Sequence, residues 1–186
     1  MKDVQKLFEE CMEELAGIGI KSQPIRRVTV NTRAKKRWGQ AKWVKGMWEI
    51  NISEQLLRDD LPDRPAKTVL IHEILHCRRG GTSHTGPWRT LARRVEKELG
   101  YRIRTTDTRE TLGLPPLSEL EQMELAEKVR RRTGEDVEIG ANGQIIRYVL
   151  ECPCGVRIER SRMSRLVEYP ERYRCSRCGG MFRRIK

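Results

Sequence analysis

Aromatic residues are scarce in this chain of 186: two phenylalanines, four tyrosines and four tryptophans, about 5% of the total. Histidine is scarcer still, with three. No apolar run approaches the roughly 20 residues that a membrane-spanning helix needs, so no such helix and no membrane partner is expected. The opening stretch MKDVQKLFEECMEEL is amphipathic and acidic and has no apolar signal core. A cytoplasmic location follows as the expectation, with the six cysteines reduced rather than paired in disulfides. Acidic charge is also in deficit. Against 38 Lys and Arg stand 26 Asp and Glu, a net charge of +12.

What is present is unevenly placed. Basic residues outnumber acidic ones 22 to 13 over residues 1–105 and 10 to 4 over 148–186, while 106–147 has 6 against 9. A basic field of this size favours polyanions, nucleic acid first. At 37% hydrophobic and 34% charged, with a mean hydropathy of -0.68, the chain supports a modest core under a well-solvated surface.

The periodicity divides the chain into three. Val4, Leu7, Phe8, Cys11, Met12 and Leu15 recur at helical spacing, with Gly17 and Gly19 beyond them. Ile25, Val28 and Val30 read as a strand. Trp38 to Val44 and Met47 to Ile52 read as a hairpin turning at Lys45-Gly46, its second arm alternating apolar with polar residues. Asp63 and Pro65 open a helix through AKTVLIHEILHCRR, which breaks at Gly80-Gly81. Pro87 starts another, closed by Gly100. Helix, strands and two helices make residues 1–104 an α+β domain. Residues 105–135 form a connector with one helix, opened by a Ser118/Glu121 capping box. Residues 136–186 hold a hairpin turning at Asn142-Gly143, then a cysteine-rich end.

All three histidines fall in HEILHCRRGGTSH. On a helix, residues four apart share a face, so His72 and His76 can bind one cation. Glu73 stands about 100° around the axis, close enough to take a proton without being a ligand. The helix must stop for a third ligand to return, and His84 lies just past the two glycines. Three nitrogens with one open position suit zinc. An attacking water and Glu73 as general base then make peptide hydrolysis the expected chemistry. Seven residues separate His76 from His84, which does not fit the H-E-x-x-H-x-x-G-x-x-H register of the metzincins.

Four cysteines form two close pairs, Cys152/Cys154 and Cys175/Cys178, twenty residues apart. That spacing reads as a four-cysteine zinc ribbon whose metal supplies its folding energy. Cys11 and Cys77 lie on helices and read as core thiols. Between the pairs, Arg157, Arg160, Arg162 and Arg165, with Tyr169 and Tyr173, offer phosphate contacts and stacking faces. Trp38, Trp43 and Trp48 read as core packing, with Met47 to Ile52 as the candidate strand bordering a substrate cleft.

The chain resembles the SprT-like proteins, related to the eukaryotic protease Spartan. The likeness rests on HEILH, on His84-Thr85-Gly86-Pro87-Trp88 before a helix, on NTRAKKRWGQ and WEINISEQLL upstream, and on the terminal C-x-C…C-x-x-C. The resemblance implies a compact zincin-like metalloprotease domain, with His72, His76 and His84 as zinc ligands and Glu73 as base. It further implies one catalytic and one structural Zn2+, a protein substrate, and action on proteins crosslinked to DNA. Thr85 departs from the family, which often has glycine directly after the third histidine. The competing expectation is a zinc-stabilised DNA-binding adaptor whose histidine site is catalytically idle.

Overall fold

The computed structural model describes residues 1–32, 37–78 and 80–186. The run NTRAKKRWGQ, part of the resemblance, therefore falls partly outside the described residues, as does Arg79 in the HCRR end of the histidine helix. The chain forms two compact units, Met1–Leu114 and Pro115–Lys186, each with mixed helices and small sheets. Residues 105–114 lie in the first unit. No helix among the described residues is long and apolar enough to cross a membrane.

The first unit opens with α1 (Val4–Gly17), whose N-terminus is capped by the Asp3 carboxylate accepting from the Gln5 and Lys6 backbone. Leu7, Cys11 and Leu15, one helical face, are buried. A three-stranded sheet follows: β1 (Ile25–Asn31), β2 (Gly39–Val44) and β3 (Met47–Ser53). β2 and β3 are an antiparallel hairpin in which Lys45 and Gly46 both have positive φ, 48° and 84°, as a two-residue turn of matching twist requires. β1 pairs parallel to β3 on its other side, so the spatial order is β1-β3-β2.

β3 is thus the central strand, with its backbone groups committed to neighbours on both sides. It cannot border a cleft as an open edge, contrary to the expectation for Met47 to Ile52; the strand with a free edge on the hairpin side is β2. The tryptophans divide accordingly. Trp48 is 6% exposed and donates from Nε1 to Gln23. Trp38 is half-buried and donates to the Asp107 carbonyl. Trp43, at the edge, is 52% exposed.

α2 (Arg64–His76) packs over this sheet and is buried nearly all round, through Val69, Leu70, Ile71, Ile74 and Leu75. Asp63 stands at its N-cap but makes no capping bond; its carboxylate instead lies 2.5 Å from the Lys2 ammonium. Lys67 ties α2 to α1 through Glu10 and Glu14, at 2.7 and 2.9 Å. The helix stops at His76, four residues short of the expected break. Cys77 leaves helical geometry, Arg78 donates to the His76 carbonyl, and Gly81 donates to that of Arg78. This tight return brings Gly81 back onto the last turn. α3 (Gly86–Leu99) then buries Trp88, Ala92 and Val95 and ends on a left-handed Gly100.

In the second unit α4 (Glu119–Thr133) begins with the complete Ser118/Glu121 capping box. Its Val129 packs with Ile139 and Ile145 of the short hairpin β4 (Glu138–Ile139) and β5 (Ile145–Ile146). A second three-stranded sheet has β6 (Tyr148–Glu151) between β7 (Arg157–Arg160) and β8 (Arg183–Arg184). A single helical turn, α5 (Arg165–Glu168), contributes Val167 to a small core with Leu150, Cys152, Cys175 and Phe182.

Candidate metal centres

His72 and His76, one turn apart on α2, place their Nε2 atoms 3.2 Å from each other. His84 arrives from the loop before α3, with its Nε2 3.0 Å from that of His72 and 3.1 Å from that of His76. The three nitrogens form a nearly equilateral triangle. The outer nitrogens say what these atoms carry. His76 Nδ1 donates to the Gly81 carbonyl at 2.5 Å. The Arg104 backbone also bonds to His72 and favours its protonated form, as a carbonyl acceptor does. His76 Nε2 therefore presents a lone pair, and three ring nitrogens within 3.2 Å of one another cannot all be satisfied by hydrogen bonds among themselves. A cation removes the conflict. Tetrahedral ligands about 2.0–2.1 Å from a zinc ion stand roughly 3.3 Å apart, so the donor set and its size fit zinc.

Burial disfavours the charged form of two of the rings, His72 and His84. Burial, then the neighbouring His76 and His84, hold the His72 imidazole down to about 3, and burial lowers His84. Trp88, 1% exposed, packs against all three, its ring 4.9, 5.6 and 4.6 Å from those of His72, His76 and His84. The sequence marks Trp88 as no more than the start of a helix; its spacing four residues after His84 carries no hint that it backs the cluster.

Glu73 is 7% exposed and accepts a hydrogen bond from the Ala41 backbone on β2. Burial pushes its carboxyl up to about 7, against the pull of the Ala41 bond and Arg37. A buried carboxyl near neutrality suits proton transfer. Tyr101 is engaged away from this cluster. It bonds to Glu14 and lies under the Arg64 guanidinium, 4.8 Å away, at the opposite end of α2 from the histidines.

Residues 4–109 match the model of the SprT-like family, more than half of the chain. The chain belongs to the SprT-like family. This family is associated with metalloprotease activity, and the matched region is a metallopeptidase-type domain. It runs from α1 past Arg104, so it contains the three histidines, Glu73 and both carbonyls that orient the imidazoles. No curated protein matches the chain.

The second candidate centre of this SprT-like protein lies outside the matched region. Cys152 and Cys154 sit on the turn after β6, Cys175 and Cys178 on a turn bridged by Arg174 and Met181. Their sulfurs approach to 3.3, 3.5 and 3.8 Å, and all four are free thiols. The Val156 backbone N–H holds the Cys154 thiol down to about 7. Gly180 covers the cluster: a Cβ there would stand 3.3 Å from the sulfurs of both Cys152 and Cys178. Four sulfurs converging at the end of a zinc-ribbon-like hairpin pair could bind a metal, and zinc fits the ligand set.

The basic residues between the pairs have different surroundings. Arg157 is drawn into ion pairs with Glu138 and Glu159, and Arg160 donates to the Glu159 carbonyl. Arg162 is exposed on the turn after β7. Arg165 instead lines a hollow of about 580 Å³ with Glu168, Tyr169, Arg172 and Tyr173. The Arg172 guanidinium lies 4.4 Å over the Tyr169 ring.

Proposed function

We propose that this SprT-like chain is a zinc-dependent endopeptidase that cleaves DNA-associated or DNA-crosslinked proteins. What carries the reading is the convergence of three imidazole nitrogens beside one buried carboxylate. A structural metal needs ligands and has no use for a base; Glu73 is that base. His72, His76 and His84 hold the zinc. When bound, zinc polarises the scissile carbonyl and lets a water act as nucleophile near neutral pH. Glu73 takes a proton from the attacking water and passes it to the leaving amine nitrogen. Its burial keeps solvent from competing for that proton. The free edge of β2 runs beside α2, so an extended substrate pairing with it lies along Glu73.

The second unit brings the enzyme to DNA. Cys152, Cys154, Cys175 and Cys178 hold a structural zinc. The hollow lined by Arg165, Glu168, Tyr169, Arg172 and Tyr173 supplies two aromatic rings and two cations against one carboxylate, which suits unstacked bases and phosphates. The ion pairs of Arg157 and the hydrogen bond of Arg160 to the Glu159 carbonyl leave those two as weaker contributors than their spacing suggests.

The test compares wild type with Glu73→Gln on a protein crosslinked to DNA and on the same protein alone, with zinc content measured in both enzymes. The expected result is full zinc in both, loss of cleavage in the variant, and faster cleavage by wild type on the DNA-linked substrate. Equal cleavage by the two enzymes makes the chain an adaptor with an idle site.

A further inference from the structure

Gly39 begins β2 and has no φ that demands glycine; it is absent from the nine glycines with positive φ. Its lack of a side chain serves another purpose. A Cβ built there would lie 2.7 Å from Glu73 Oε1, 2.8 Å from Glu73 Cγ and 2.7 Å from Val69 Cγ1. The volume that any other residue would fill is occupied by the Glu73 side chain.

The strand register explains the placement. Gly39 pairs with Ile52, Ala41 with Ile50 and Trp43 with Trp48. Ile50, Ile52 and Trp48 are the buried face of β3, so Gly39 and Ala41 share the face toward α2. In this two-residue hairpin Ala41 belongs to a non-hydrogen-bonded pair, which turns its N–H to the free edge. There it donates to Glu73. Gly39 leaves the room, and Ala41 supplies the anchoring bond.

We propose that Gly39 is a positioning residue for Glu73: the missing side chain at position 39 seats the carboxylate against β2 and aims it toward the histidine cluster. The inference rests on the peptidase reading of Glu73. A methyl at position 39 must displace something. Val69 is β-branched on a buried helix, with one strongly preferred rotamer, and it is 3% exposed. The Glu73 carboxylate is the end of a flexible chain, so it gives way first. Gly39→Ala is therefore expected to uncouple Glu73 from its seat while leaving the metal ligands untouched.

Four proteins test this: wild type, Gly39→Ala, Val69→Ala and the double variant, with Glu73→Gln as reference. Zinc content and thermal midpoint are measured for each, with kcat and KM on the DNA-crosslinked substrate. Exchange of the Ala41 amide is measured on the metal-free protein. Gly39→Ala is expected to keep its zinc and its KM, to lose kcat about 10²-fold, and to exchange Ala41 about tenfold faster with the β3 amides unchanged. Val69→Ala relieves the packing conflict in the double variant, so the midpoint recovers while kcat stays low. Recovery of kcat together with the midpoint overturns the proposal, because it reduces Gly39 to a packing residue. So does wild-type kcat in Gly39→Ala when Glu73→Gln is dead. If Glu73→Gln cleaves as wild type, the peptidase reading fails, and the Ala41 amide alone decides whether Gly39 seats Glu73.

Discussion

The Gly81 carbonyl accepts a hydrogen bond from His76 Nδ1 at 2.5 Å, and that bond turns Nε2 toward His72 and His84. Gly81 can approach so closely because it has no side chain: a Cβ would stand 2.8 and 2.9 Å from the carbonyls of Leu75 and His76. These are backbone atoms and cannot swing aside. Gly81→Ala should therefore move the loop and release the His76 tautomer. Partners of this kind are worth about 10–100-fold in metal affinity, and a chelator competition titration of the variant should show a loss in that range.

Acid should act on the metal-free protein in two opposed ways. His72 is held down to about 3 in the fold and titrates near 6.5 when unfolded. Between those values the unfolded state binds more protons, so stability falls as pH falls. Glu73 is raised to about 7 from an ordinary 4.5. Between 4.5 and 7 the folded state binds more protons, so stability rises as pH falls. The His72 and Glu73 contributions offset each other over their shared window, and of these two only the His72 loss remains below about 4.5; His84, also lowered by burial, adds a loss of the same sign as His72. In Glu73→Gln the offset is gone. Chemical denaturation at several pH values should show its decline starting near 6.5, with an added slope of up to about 1.4 kcal/mol per pH unit.

Trp48→Ala should unsettle the fold rather than trim catalysis. Trp48 fills the core and bonds to Gln23, so its truncation should cost about 3–5 kcal/mol. Trp43→Ala, at an exposed site, should stay within about 0.5 kcal/mol. Thermal melts of the two variants separate these outcomes.

Cys152→Ser should remove a buried ligand from the second cluster, where Cys152 is 1% exposed. Structural zinc contributes about 10–16 kcal/mol of apparent binding energy to small ribbons, far more than so small a core of Leu150, Val167 and Phe182 provides. Hydrogen exchange across the full chain should show β6 and β7 losing protection while α2 and β3 keep theirs.

Tyr169→Ala and Tyr173→Ala should each weaken single-stranded DNA binding by about 1–3 kcal/mol, and the affinity of wild type should fall steeply with salt. Arg157→Ala should matter less, since its guanidinium already pairs with Glu138 and Glu159. Fluorescence titrations at two salt concentrations read both effects.

Much of this architecture is legible from local rules. The apolar stripe of α1, the Lys45-Gly46 and Asn142-Gly143 turns and the Ser118/Glu121 box each depend on residues within a few positions. The same is true of the His72/His76 stacking on α2 and of the cysteine pairs. Side-chain period, capping chemistry and backbone φ act over one or two turns, so a string of letters carries them. The expected run of α2 to Gly80 is the instructive difference. Helix propensity extends it, but the return of Gly81 onto the His76 ring ends it at His76.

Long-range contacts settled the rest. The parallel pairing of β1 with β3 made β3 central and left β2 at the edge, a choice no alternation pattern encodes. The Arg104 carbonyl reaches His72 across more than thirty residues, Trp88 backs three rings at once, and Gly39 makes space for Glu73 from another element. Each depends on two distant segments meeting at contact distance, and such meetings are governed by the packing of the whole core rather than by any neighbouring residue's preference.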